Sequence, residues 1–234
     1  MSASLEAVPA YIIHSYPYKN SSLMLVCLTP FGRMSVAAKS ARGMKSKFKG
    51  QLQLFVPLVM NLKEGRDIYF LNHAELADCP WMLSSESMLC AFYMNELLWH
   101  LMKGGQESLG IYQDYHQSLK NLSENLVPNQ VILRQFEKKL LDHLGYGVSW
   151  THEAVTQLPI VPSRCYDFKS QQGFVDYSLS SGFKGESILA MHNDAISSEH
   201  LHDLKQIMRL QLSFYLEGKK IISRQYAMTK PRSE

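Results

Sequence analysis

Acidic residues are missing from a long part of this chain: no Asp or Glu occurs between Ala7 and Lys63. The same stretch holds Lys19, Arg33, Lys39, Arg42, Lys45, Lys47, Lys49 and Lys63, a formal charge of +8 against +3 for all 234 residues. The remainder is therefore net acidic. A one-sided segment repels itself on folding, and a polyanionic partner offsets that cost by releasing counterions.

Other absences narrow the class. No run of about 18 uncharged apolar residues occurs, so no membrane-spanning helix is expected. The first residues show neither a basic nor an apolar signal region, so no secretory signal is expected. Cys27, Cys79, Cys90 and Cys165 form no CxxC pair. Cys27 and Cys90 lie in apolar segments and read as reduced core thiols. These features favour the cytosol. There is no GxxxxGK(S/T) loop for nucleotide phosphates, no GxSxG, no HExxH and no carboxylate cluster. Glu86, Glu96, Glu107 and Asp114 are scattered over helical segments as solvated faces. His200 and His202 stand two apart on a helix, about 200° round its axis, so with His192 they make no metal site. Cys165 alone cannot supply the usual four zinc ligands.

What remains is a globular composition, 46% hydrophobic and 19% charged, long enough for one or two domains. Residues 1–80 read as β. The runs Pro9–Tyr16, Ser22–Leu28 and Gly32–Lys39 are separated by turn residues around Pro17–Asn20 and Thr29–Gly32. Gln51–Leu62 and Asp67–Ala74 add two more strands. Five short strands joined by tight turns and one long basic loop suit a small closed barrel.

Near residue 80 the pattern switches to helical period. A helix capped at Ser84 or Ser85 should run to Lys103 before Gly104 and Gly105. It is apolar nearly all round, which predicts a place at the centre of a bundle. Leu109 to Leu126 and Val131 to Leu144 give two further helices. Residues 147–190 read as short strand pieces, with a turn at Ser170–Gly173 between Tyr166–Phe168 and Phe174–Val175. A last helix spans about Ser197 to Leu216. The tail with Lys219, Lys220, Arg224, Lys230 and Arg232 is expected to fray.

Three features carry functional weight. The segment Lys39–Lys49 puts Lys39, Arg42, Lys45, Lys47 and Lys49 into eleven residues with Gly43 and then Gly50. Cations neutralise phosphates, glycines admit a close ligand, and Phe48 or a neighbouring Tyr offers a base a stacking surface. Tyr16 and Tyr18, beside Pro17 and Lys19, are the aromatics expected to be exposed. On the third helix Arg134, Lys138 and Lys139 lie beside Leu133, Phe136, Leu140 and Leu141, with Arg134 and Lys138 on one face, a basic edge on an apolar groove.

Together these residues resemble the RecO family of recombination-mediator and DNA-repair proteins. The likeness rests on Ala38-Lys39-Ser40-Ala41-Arg42, on Lys49-Gly50-Gln51-Leu52-Gln53-Leu54-Phe55-Val56-Pro57, and on Ser22–Leu25 with Gly32-Arg33. It continues through Tyr93 and Asn95–Leu98, through Arg134–Glu137 and Leu140–Gly147, and ends with Tyr215–Lys219 and Ser223-Arg224. No one element is specific; the ordered set is.

The resemblance implies an α+β chain: a five-stranded OB-fold DNA-binding domain at 1–80, then a mainly helical domain at 81–234. That domain would hold a small β-containing insertion at about 147–195 and a basic tail at about 218–234. It implies a non-enzymatic protein that binds single- and double-stranded DNA and anneals complementary strands. With RecR it would help load RecA onto DNA coated by single-strand-binding protein (SSB). Arg33, Lys39, Arg42, Lys45, Lys47 and Lys49 would meet the DNA. Arg134, Phe136, Lys138, Leu140 and Leu141 would take the acidic SSB C-terminal tail. No cofactor or membrane is implied, and the place of action would be the cytoplasm, at the nucleoid.

Two departures matter. Many members carry a four-cysteine zinc site after the LGYG element; here only Cys165 lies there, so an insertion without metal is expected. Ser40 and Leu54 stand where glycine and proline are common. Two other readings stay open on residues alone. In one, an adaptor uses the basic loop chiefly for an acidic protein. In the other, a hydrolase or nuclease assembles its site from distant carboxylates.

Overall fold

Tight turns at Lys19–Ser21 and Pro30-Phe31 fold the first strands into a meander. In the computed structural model, which describes residues 4–105, 107–176 and 182–228, β1 (Ser4–Tyr18), β2 (Ser22–Thr29) and β3 (Gly32–Ala38) pair antiparallel in sequence. β4 (Leu58–Glu64) and β5 (Tyr69–Leu76) complete a closed barrel of order β1-β2-β3-β5-β4. β3 and β5 run parallel through Val36–Tyr69 and Ala37–Phe70; every other pair is antiparallel. This is the five-stranded OB-fold. β1 serves both β2 and β4 because its register shifts between Leu5 and Val8 and again between Ile12 and His14, which bends it around the barrel.

Alternate residues fill the interior. Ile12, Leu25, Cys27, Val36, Leu58 and Met60 are fully buried there. Burying each large aliphatic is worth about 1.5–3 kcal/mol. The long strand expected at Gln51–Leu62 begins only at Leu58. Phe55 takes φ +65° and Pro57 has no N–H for a ladder, so Gln51–Pro57 is irregular.

The helices are α1 (Ser85–Leu101), α2 (Leu109–Glu124), α3 (Asn129–His143), α4 (Gly185–His192), α5 (Leu201–Leu216) and α6 (Ser223–Met228). Ser84 caps α1, its hydroxyl accepting from the Ser87 amide at 3.2 Å. α4 lies where strand pieces were expected; its eight residues make little more than two turns, too few to display a helical period. A small antiparallel sheet of order β7-β6-β8 forms from β6 (Cys165–Lys169), β7 (Gly173–Asp176) and β8 (Phe183–Lys184).

Two compact units result. One takes the chain up to Ser123 and again from Ile221; the other spans Glu124–Lys220. In the first, α1 packs on β1 and α6 rather than at the centre of a bundle. Its apolar girth is used on several sides. Phe92 meets Phe55 edge-on at 4.9 Å, and Asn95 accepts from the Tyr115 hydroxyl of α2 at 2.6 Å. The Glu96 carboxylate accepts from the Ser223 amide at 3.1 Å and from its hydroxyl, and Arg224 donates to the Tyr93 hydroxyl at 2.9 Å. Within the tail expected to fray, Ser223–Met228 is therefore a helix held on α1; Lys230 and Arg232 lie outside the described residues.

In the second unit α5 packs on α3 and α4. Tyr146 stacks on Tyr215, ring centroids 4.1 Å apart. Phe174 gathers Trp150 and Phe168 on the small sheet. The buried Glu153 carboxylate accepts from the Thr156 amide and hydroxyl and from the Asp176 amide, joining its loop to β7.

Candidate nucleic-acid interface

The basic loop leaves β3 at Lys39 and returns to β4 after Pro57. Its turns are closed by its own backbone, Ser46 to Gly43 at 2.9 Å and Lys49 to Ser46 at 3.2 Å. Phe48 anchors it: the ring is 4% exposed and packs with the barrel core. Phe48 is thus a plug, and its ring is not a surface for a base. Ser40 sits at φ +54°, the left-handed region that glycine enters freely.

The structure separates the predicted cations by job. Arg42 is tied down: its amide donates to Ser21 O at 2.9 Å and its guanidinium to the carbonyls of Lys19 and Asn20. This draws the loop onto the β1–β2 turn and sets Lys19 beside it. Lys47 donates to Asn72 O at 2.6 Å, and its ammonium lies 4.9 Å from the Phe48 ring centre. Lys39 lies over Phe70 at 4.8 Å. Lys45 and Lys49 are exposed. Arg33, on β3, is half-buried; it donates to Trp99 O at 2.8 Å, and burial lowers the pKa of its guanidinium from the ordinary value. None of the six is held in an ion pair among the described residues.

An open cleft of about 450 Å³ lies within the loop. Leu23, Ala41 and Leu52 line its apolar part, and Arg42, Lys49 and Gln53 its polar part. Gly43 and Gly50 border it, with open space where a side chain would stand at Gly50. Such a surface can hold anionic backbone without reading its sequence, since Lys and Arg bind phosphate oxygens whatever the base.

The predicted partner face on α3 is built differently. Arg134, Phe136, Leu140 and Leu141 are buried, at 5%, 1%, 1% and 1% exposure. Arg134 pairs with Glu137 at 2.7 Å inside the helix packing. Only Lys138 of the five is partly open, 3.3 Å from Asp142. The basic edge there is therefore Lys138 with the exposed Lys139.

Among the aromatics, Tyr16 is exposed and Tyr18 half-buried, with Lys19 5.4 Å from the Tyr18 ring. Tyr11 is buried, its hydroxyl 2.7 Å from His116 Nδ1 and receiving Trp81 Nε1–H at 3.4 Å; burial pushes its hydroxyl pKa well up. The sequence reading missed His14 and Trp99. His14 is exposed on β1 two residues before Tyr16, and its ring centre lies 4.5 Å from that of Trp99. Strict alternation from the buried Ile12 would have turned His14 inward; the register shift between the two makes the difference. Among the described residues no group of three or more His, Cys, Asp or Glu side chains could hold a metal.

Comparison with known proteins gives two family-model matches. "Recombination protein O N terminal" covers residues 1–80 and "Recombination protein O C terminal" covers 82–225. Three proteins called "DNA repair protein RecO" are similar over nearly the whole length. That of Coxiella burnetii (strain RSA 493 / Nine Mile phase I) is 38% identical, across 93% of this chain and 95% of its own. That of Vibrio cholerae (El Tor Inaba N16961) is 34% identical, across 92% and 90%. That of Dechloromonas aromatica (strain RCB) is 31% identical, across 95% of both.

Proposed function

The chain belongs to the RecO family of DNA repair proteins, and from that premise we propose that it is a non-enzymatic recombination mediator that binds single- and double-stranded DNA through the loop between β3 and β4. Lys39, Arg42, Lys45, Lys47 and Lys49, with Arg33 and Lys19, hold backbone phosphates. Shielding two strands from each other lets complementary ones pair. With RecR, the bound protein then helps RecA onto strands coated by SSB, in the cytoplasm at the nucleoid. The observation that carries this reading is the acid-free segment of +8, whose exposed cations pair with no carboxylate among the described residues.

The roles within the loop differ. Lys39, Lys45 and Lys49, exposed on the loop, give most of the salt-dependent part of binding. Arg42 shapes the loop and, through its remaining face, adds one cation. Arg33 supports α1 through Trp99 O and meets phosphate with its open side.

The SSB tail is acidic and hydrophobic, and α3 offers its acidic groups Lys138 and Lys139, while Phe136, Leu140 and Leu141 lie buried beneath and hold the helix in place. Arg134 acts there by holding the helix surface through Glu137. The division of the chain into 1–80 for DNA and 81–234 for partners remains the functional reading of the switch from strands to helices.

The test is fluorescence anisotropy of a labelled single-stranded oligonucleotide, at low and near-physiological salt, without metal or nucleotide. Tight binding that falls steeply with salt is expected, each phosphate-neutralising Lys contributing about one unit of slope. Absent or salt-insensitive binding would overturn the reading and favour the adaptor.

A further inference from the structure

The outer side of β1 carries a row of rings beyond the basic loop. Tyr18, Tyr16 and His14 follow one another at every second residue, so they leave the strand on one side about 6.6 Å apart. Tyr16 and His14 are exposed, with ring centres 6.0 Å apart. Trp99 of α1 stands behind His14 at 4.5 Å, inclined at 45°. Arg33 closes the row, its guanidinium 5.6 Å from the Trp99 ring centre and bonded to Trp99 O. At the other end, Arg42 fastens the loop to the carbonyls of Lys19 and Asn20. The row therefore begins where the phosphate-binding loop is tied down.

Two exposed rings on a strand are unremarkable alone. Here they are propped and placed. His14 has a tryptophan at its back, which limits its rotation. β1 from Ala7 onward, the turn after it and β2 and β3 contain no acidic residue that would repel a phosphate chain. The repeat along the strand matches the spacing of bases in an extended single strand far better than that of a stacked duplex, where the rise is about 3.4 Å. Stacking needs no sequence, because every base has a π-face.

We propose that Tyr16 and His14 form a stacking platform for successive unpaired bases, with Trp99 as the positioning residue behind His14. The platform leads a single strand away from the basic loop along β1. Duplex DNA, whose bases are not free, uses the loop alone. The inference rests on the DNA-binding reading above and adds to it a path and a preference for unpaired bases.

The experiment is anisotropy with the full chain, on single-stranded and on duplex oligonucleotides, for the wild type and for Tyr16→Ala/His14→Ala. Expected is a single-strand affinity lower by about tenfold or more, with the salt slope unchanged and duplex affinity kept. Tyr16→Phe/His14→Phe should restore single-strand binding, since it keeps both rings. Ultraviolet cross-linking of an iodouracil-bearing strand to wild type should label peptide 9–18. Equal loss on both DNAs, no loss on single strands, or failure of the Phe variant to rescue each overturns the platform. So does a loss confined to an acidic peptide, which would make the row a protein-docking site. Failure of the wild type to bind DNA at all would instead overturn the function proposed above.

Discussion

Two basic regions of this chain looked alike as letters and are opposites as surfaces. The β3–β4 loop spreads its cations over an exposed, acid-free segment. On α3 the most basic side chain is 5% exposed and already paired with Glu137, inside the same helix. A cation in the loop gains by meeting a phosphate from solution. Arg134 has met its anion within the fold, and taking it away leaves a carboxylate in a low-dielectric interior. Charge marks a binding surface only where the fold keeps its own carboxylates away.

The sharpest way to break this contrast is to reverse both sides. Lys39→Glu, Lys45→Glu and Lys49→Glu together should weaken single-strand binding about a thousandfold at near-physiological salt and lower the salt slope by about two to three units, with the unfolding midpoint nearly unchanged. Anisotropy and thermal denaturation on the same preparation decide it; unchanged DNA binding in a folded protein removes the loop from the interface. Arg134→Ala should do the reverse. It should cost about 3 kcal/mol of stability, read as a lower urea midpoint, and leave DNA binding of the remaining folded protein intact. If Arg134→Ala folds as wild type yet loses SSB-tail binding, Arg134 is a contact residue and the contrast fails. Lys138→Ala/Lys139→Ala is the milder test, with tail-peptide binding expected to drop severalfold at unchanged stability.

Acid sharpens the comparison further. Glu153 is held below the usual carboxylate range, first by the Thr156 hydroxyl and then by backbone amides, against an opposing effect of burial. Its folded pKa is depressed, so its contribution to stability is full above the unfolded group's pKa and is lost as pH falls through the folded value. The unit holding Glu153 should therefore weaken below about pH 5, and Glu153→Gln should flatten that dependence in tyrosine and tryptophan spectra. The smallest effect belongs to the loop. Ser40→Gly removes a side chain from φ +54° and should stabilise by at most about 1 kcal/mol, leaving affinity alone.

How much of this could be read from the letters varies with the physics involved. The barrel was legible because turn residues and apolar runs punctuate β1 to β3 without ambiguity. The basic loop was legible because absence of acid is a property of composition. Phe48 or a neighbouring Tyr could have served a base, and the burial of Phe48 removes the first choice; nothing local distinguishes an aromatic that plugs a barrel from one that faces water. His14 was missed for a related reason: one register shift changed the side of the strand on which it emerges. Arg134 looked like a surface cation because i, i+4 spacing with Lys138 describes a face and says nothing of what covers it. Its partner Glu137, three residues on, was in plain view. α1 was taken for a bundle helix because all-round apolarity does not reveal whether the neighbour is a helix or a barrel.

One feature of the connectivity bears on how the protein is made. The unit containing the barrel is built from two stretches of chain, and α6 seals it by giving Ser223 and Arg224 to Glu96 and Tyr93 of α1. A ribosome must synthesise everything from Glu124 to Lys220 before that seal can form. At about 5–20 residues per second the barrel and α1 wait for several seconds in an unsealed state, while the second unit, continuous in sequence, is free to fold as it emerges. Order of completion is thus the reverse of order of synthesis, and the barrel-containing unit finishes last.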